Sequence, residues 1–343
     1  METFEGFFGN SQIAAALADL VERGRIPQTL LFSGPEGIGK ATLARKFAAK
    51  LLADTSGKIA RDDLSLPANQ QIITEREKWP ADKRNDDPLF FNSHPDFVTF
   101  APEGPLRQIS IPQMRLLKQR AQLKPLHGEW RVFLIDGIDR ANEQAANSLL
   151  KTLEEPPSHL ILILTARNPY DLLPTIRSRV VPFLLGRLTD AEMQDFLKQR
   201  DLDQINRRTS LAEGSPGQAV SLDLENYDRR REAMLTLLEV AAGISQFSAW
   251  IKHADSIAAR RTEKLEAYLE TLYILLEDVL RLMHGGSRVR NADAVDRCTA
   301  LSRRVSFAWV RRAVGRVDEM AELARRSIQK TIALDAFASS LRP

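Results

Sequence analysis

The chain has 343 residues, 43% apolar and 27% charged, with a formal net charge of +3. That length supports two or three domains with their own cores, and the near-balanced charge permits nucleic-acid contact without requiring it. A single cysteine, Cys298, excludes a disulfide framework and a cysteine-based zinc site, and apolar runs such as 160–164 are far below the ~20 residues that cross a bilayer.

The N-terminal METFEGFFGN lacks the basic-then-apolar order of a signal peptide, so a cytoplasmic protein without membrane contact is expected. Residues 10–23 have the pattern of a first helix. Asn10 and Ser11 are cap candidates, Ile13, Leu17, Leu20 and Val21 form a stripe, and Gly24 and Pro27 end it. An apolar run, 29–33, leads into a glycine loop and then a helix over 40–52 with Leu43, Ala44, Phe47, Ala48 and Leu51 on one face. Residues 53–92 are charged and proline-interrupted, and are expected as a solvated insertion.

A strand is expected at 94–100, a helix at 111–122, an apolar strand at 131–136 ending in Asp136, a helix at 142–154 and an apolar strand at 160–165. Strands alternating with helices predict a parallel α/β sheet whose ligands lie at the carboxyl ends of the strands. The glycine loop and Asp136 both fall there. After about residue 186 the strands stop. Thr189 and Glu192 form a capping box for a helix over 190–200, and 211–219 breaks into a turn and a new helix start. Helical periodicity then runs to the end. It is clearest at 263–283, which Gly285-Gly286 terminates, and the last helices are expected at 305–325 and 328–341. The division expected is an α/β core over 1–186, a small helical lid over 187–223 and an all-α domain over 224–343.

The chemistry concentrates at 34–42, Gly-Pro-Glu-Gly-Ile-Gly-Lys-Ala-Thr. This is the phosphate-loop pattern up to its last letter, where a hydroxyl that would hold Mg²⁺ is replaced by Ala41. Thr42 comes one residue late, turned by roughly 100° on the helix. Gly34, Gly37, Gly39 and Lys40 are the candidate phosphate cradle, and Asp136 the candidate metal carboxylate. The position after Asp136, where an acid commonly orients the attacking water, is Gly137; Asp139 is a poor substitute. Asp136 read alone could equally cap a strand-to-helix turn.

The segment 147–157, Asn-Ser-Leu-Leu-Lys-Thr-Leu-Glu-Glu-Pro-Pro, resembles a signature helix of the bacterial clamp loaders, members of the AAA+ class. The segment 173–179, Leu-Pro-Thr-Ile-Arg-Ser-Arg, is similar to their Ser-Arg-Cys motif with Val180 in the cysteine place. Phe8-Gly9-Asn10, the loop 34–40, the strand 132–136 and Gly214-Ser215 fall in matching order, so the resemblance covers the whole chain. It implies an AAA+ P-loop core with a parallel sheet, a small helical lid and an all-α collar through which subunits assemble. Many members carry a four-cysteine zinc module where 53–92 stands. With no cysteine there, no zinc is expected, and both a metal-free fold packed on the sheet and a flexible loop stay open.

Clamp-loader ATPases carry a sensor arginine shortly after Gly-Ser, where this chain has Pro216 and Gly217. Ala41, Gly137 and Gly217 together resemble the delta-prime branch, which does not hydrolyse ATP, acts as a stator and donates an arginine finger to a neighbour's ATP. By that resemblance Arg179 is the finger, a guanidinium that offers a fixed positive fork to phosphate charge. Arg177 is expected to pair with a carboxylate. The implied partners are gamma/tau ATPase subunits and a delta subunit of the DNA polymerase III loader and, through the complex, the sliding clamp and primer-template DNA. No cofactor is required, and weak ATP or phosphate binding at the loop stays open. The rival readings are an active gamma/tau-like ATPase and a stand-alone AAA+ DNA-binding or recombination factor.

Overall fold

Among the described residues of the computed structural model, which are 4–260, 263–324 and 329–341, six strands form one sheet. They are β1 (Thr29–Ser33), β2 (Phe90–Phe91), β3 (Phe97–Phe100), β4 (Arg131–Ile135), β5 (Leu160–Ala166) and β6 (Val181–Leu184), in the order β2-β3-β4-β5-β1-β6. Every pair is parallel except β2 with β3. Strands β1, β3, β4 and β5 are buried at every position, as continuous apolar runs in a parallel sheet must be. These four match the expected runs; β2 and β6 were not anticipated. β6 is mostly exposed and carries Pro182, which suits an edge strand.

The helices in chain order are α1 (Ser11–Glu22), α2 (Lys40–Leu51), α3 (Pro67–Glu77), α4 (Ala81–Asp86), α5 (Ile111–Ala121), α6 (Glu143–Glu154), α7 (Pro174–Arg177), α8 (Asp190–Gln199), α9 (Ile205–Ala212), α10 (Pro216–Ser221), α11 (Leu224–Ala241), α12 (Phe247–Ala259), α13 (Leu265–Met283), α14 (Val295–Arg304), α15 (Phe307–Ala324) and α16 (Lys330–Ser340). The expected cap holds at Thr189, and the Asn142 side chain caps α6 by accepting the Ala145 amide. At α1 the expectation fails: Asn10 has a left-handed backbone and its side chain makes no cap bond. Its side chain instead clasps Gly186, donating to the carbonyl at 3.1 Å and accepting the amide at 2.8 Å. The chain divides into two compact units, Met1–Leu202 with Gly214–Val220, and Asp203–Glu213 with Ser221–Pro343. The residues expected as a lid are therefore distributed between the two.

In the first unit, α5 and α6 cover one face of the sheet, with Met114, Leu117, Leu149 and Leu153 packed on Phe133, Leu162 and Leu164. The insertion 53–92 is folded and packs on the sheet, so the solvated-excursion expectation is corrected. Leu64, Ile73, Leu89, Phe91 and Ala101 form a small satellite core. Most of its cohesion is polar. The side chain of Arg76, 7% exposed, reaches Asp87 at 3.0 Å and Glu103 at 3.2 Å. Trp79 lies between Arg76 and Lys83, whose charges sit 4.4 and 3.7 Å from its ring centroid. Asn69 ties the carbonyls of Arg61 and Asp63, and Gln113 those of Leu89 and Ala101. Among the described residues, no group of three or more His, Cys, Asp or Glu is arranged to hold a metal, and no helix is long and apolar enough to cross a membrane.

The second unit is helical. Its core is built on α11 and α13, with Trp250, Leu272, Leu275, Val279, Trp309 and Phe337 at its centre. The fully buried Asp278 accepts the amides of Arg290 and Asn291 and the Asn291 side chain, at 2.7 to 3.0 Å. A buried carboxylate is tolerated when its lone pairs are filled this way. Cys298 is buried, and burial pushes its thiol up to about 12, which makes it inert.

Candidate functional site

The glycine loop leaves the carboxyl end of β1 and enters α2 at Lys40. Gly34, Gly37 and Gly39 all have positive φ, which only glycine adopts freely. A Cβ on Gly34 would stand 2.4 Å from the Leu185 carbonyl oxygen, so the chain has no room for any other residue there. The amides of Gly37, Ile38 and Gly39 have no hydrogen-bond partner among the described residues, and they form the donor set a phosphate would use.

The carbonyls of Gly34, Pro35, Glu36 and Gly37 are all occupied. Lys40 Nζ donates to Gly34 O at 2.7 Å and to Pro35 O at 2.8 Å. Ser215 Oγ donates to Glu36 O at 2.7 Å, and the Gly217 amide to Gly37 O at 2.8 Å. Four consecutive carbonyls are thus held by the loop's own lysine and by the turn at 214–217. Burial lowers the Lys40 pKa, opposed by Asp136, Asp139 and Glu36. A Cβ on Gly217 would lie 2.8 Å from Gly37 O and 3.0 Å from its Cα, so a larger side chain at 217 would push the turn off the loop. Phe7 closes on Gly39 from the other side, its ring 3.2 Å from where a Cβ would be. Gly37→Ala, with its Cβ 2.6 Å from Ser215 Oγ at φ +73°, is expected to cost about 1–3 kcal/mol in urea unfolding of the full chain.

Asp136 follows β4 at the same edge of the sheet. Thr165 Oγ1 donates to Asp136 Oδ1 at 2.6 Å and accepts the Gly137 amide at 2.8 Å. Sequence reasoning missed Thr165, although the β4–β5 register, Ile135 beside Leu164, carries the signal: the polar residue ending one strand faces the carboxylate ending the next. Gly137 has φ +83°, so an acid at that position would be strained as well as absent. Asp139, its side chain 3% exposed, is paired with Arg167 at 3.1 Å. Ala41 and Thr42 lie in the first turn of α2. The arrangement can hold an anion on three amides. It lacks the hydroxyl next to the lysine and an acid beside Asp136.

Arg179 lies elsewhere. Its carbonyl accepts the Thr29 hydroxyl at 2.6 Å, at the start of β1, whereas Gly34 follows the end of β1. Five residues of strand separate them, about 16 Å at ~3.3 Å per residue. The guanidinium is one-third exposed. It is held by Glu154 Oε1 at 2.7 Å, the Thr175 carbonyl at 2.8 Å and Ser178 Oγ at 3.0 Å. An exposed pair of this kind is worth ~0.2–1 kcal/mol, enough to orient the group but not to lock it. Arg177, expected to pair with a carboxylate, instead stands over the exposed Tyr170 ring at 5.1 Å.

Comparison with known proteins gives one family match. The model of the family described as "DNA polymerase III, delta subunit" matches residues 9–189, just over half of the chain. Among curated proteins, the chain is 28% identical over 301 residues to DNA polymerase III subunit tau of Escherichia coli, covering 82% of this chain and 43% of that one. It is 29% identical over 233 residues to subunit delta' of the same organism, covering 67% and 68%. The chain thus spans less than half the length of the tau protein that it matches. A solved gamma subunit-related protein from Thermotoga maritima aligns over 95% of this chain and 98% of its own, at 17% identity and a TM-score of 0.47.

Proposed function

The chain belongs to the DNA polymerase III delta-subunit family of clamp-loader proteins, and we propose that within a loader it is a non-hydrolysing stator that offers Arg179 to a nucleotide held by another subunit. The observation that carries this reading is the placement of Arg179 and the glycine loop at opposite ends of β1. An arginine about 16 Å from its own chain's loop and tied to Glu154 cannot meet a phosphate bound there. Exposed at the surface, it can meet one presented by a neighbour, where the guanidinium fork matches phosphate oxygens.

The rival is an active ATPase of the gamma/tau kind, and the similar identities to tau and delta' do not choose between them. The site favours the stator. Gly217 leaves no side chain to reach a phosphate, and positions 41 and 137 lack the groups that hold metal and orient water. On this reading the α/β core, the lid and the collar are three working parts. The partners are gamma/tau ATPase subunits and a delta subunit, and the assembly places a sliding clamp on primer-template DNA. The isolated chain is expected to show no Mg²⁺-dependent ATP turnover. Steady-state turnover that Lys40→Ala abolishes would overturn the proposal in favour of the ATPase.

A further inference from the structure

From Arg297 to Val317 the sequence has six arginines and no Asp or Glu. The structure sorts them. Arg297 is paired with Glu232 and Glu239, each at 2.7 Å, Arg316 with Glu319 at 2.6 Å, and Arg304 donates to the Ala242 carbonyl at 3.3 Å. Arg303, Arg311 and Arg312 are exposed, with no hydrogen-bond or ion-pair partner among the described residues. Arg303 and Arg304 close α14, and Phe307, 57% exposed, opens α15. Arg311 lies one turn beyond Phe307 on the same face, with Arg312 beside it. Trp309, Val310, Ala313 and Val317 on the opposite face are buried in the core, so the display is rigid. No acidic residue in the first turn of α15 offsets the charge. Unpaired guanidiniums at the end of α14 and in the first turns of α15, flanking an exposed ring in the sequence, add nothing to the fold. They are complementary to a chain of phosphates with an accessible base.

We propose that this α14–α15 surface binds a single strand of nucleic acid, with phosphates on Arg303, Arg311 and Arg312 and a base stacked on Phe307. A single strand fits better than a duplex because an exposed ring can stack only on a base free of its neighbours. The proposal does not rest on the finger reading.

The test is fluorescence anisotropy of the full-length chain with a labelled oligo(dT), against increasing salt. The expected slope of log affinity on log salt is about −0.7 for each phosphate contact. Arg303→Gln, Arg311→Gln and Arg312→Gln should each flatten that slope by about that amount, and Phe307→Ala should weaken binding roughly tenfold. Arg179→Ala should bind as wild type. All these side chains are exposed, so circular-dichroism melting curves should match wild type. Binding unchanged in the arginine variants and in Phe307→Ala would overturn the proposal. So would equal or tighter binding to a duplex of the same length, or equal competition by poly-glutamate.

Discussion

Replacing Arg179 with alanine is expected to slow ATP hydrolysis at the adjoining subunit's site by a factor on the order of 10³, in a loader reconstituted from the gamma/tau and delta subunits and this chain. The assembly itself should still form. Arg179 is one-third exposed, and its pairing with Glu154 is a surface contact worth little to the fold. On the proposed reading its removal acts on the neighbour's phosphate and leaves the scaffold intact. Arg179→Lys should recover little of the rate, because an ammonium is a point charge and cannot span two phosphate oxygens as the fork does. Size-exclusion chromatography checks assembly, and single-turnover hydrolysis checks the rate.

The second large effect is on stability. Arg76→Ala is expected to destabilise the first unit by about 3–5 kcal/mol, since it strands the carboxylate of Glu103, whose side chain is 3% exposed. Burial already raises the Glu103 pKa, and Arg76 opposes that rise. Without the guanidinium the folded-state pKa climbs further above the unfolded value. A carboxyl raised in this way stabilises the fold below its unfolded pKa, and that contribution is lost as pH rises through the folded pKa. The deficit of Arg76→Ala should therefore be larger at pH 7 than at pH 5, as read by urea unfolding at both values. A deficit that grew on acidification would contradict the role assigned to Glu103.

The difference between these two sites also explains what the sequence made legible. The central strands and the helices α2, α5, α6 and α13 follow from apolar period and run length, and the structure has them within a few residues of expectation. β6 escaped because it is an edge strand with no buried face to pattern it, and β2 because two residues carry no period. The insertion escaped because its cohesion is ionic and aromatic. Arg76, Trp79 and Lys83 look like a solvated run until Glu103, 27 residues on from Arg76, closes the network. The phosphate loop was legible as a motif. Its closure was not, because Ser215 lies 179 residues from Glu36, and no spacing rule joins them. The residues Ala41, Gly137 and Gly217 were visible letter by letter, whereas the reason a larger residue does not fit at 217 is a backbone contact visible only in three dimensions.

The central claim is that phosphate chemistry involving this chain runs through Arg179 and not through its own loop. One measurement tests it directly: clamp- and DNA-stimulated ATP hydrolysis by the reconstituted loader, compared between Lys40→Ala and Arg179→Ala of this chain. The account predicts that Lys40→Ala hydrolyses ATP at the wild-type rate and that Arg179→Ala falls sharply. A loss with Lys40→Ala and an unchanged rate with Arg179→Ala would contradict it.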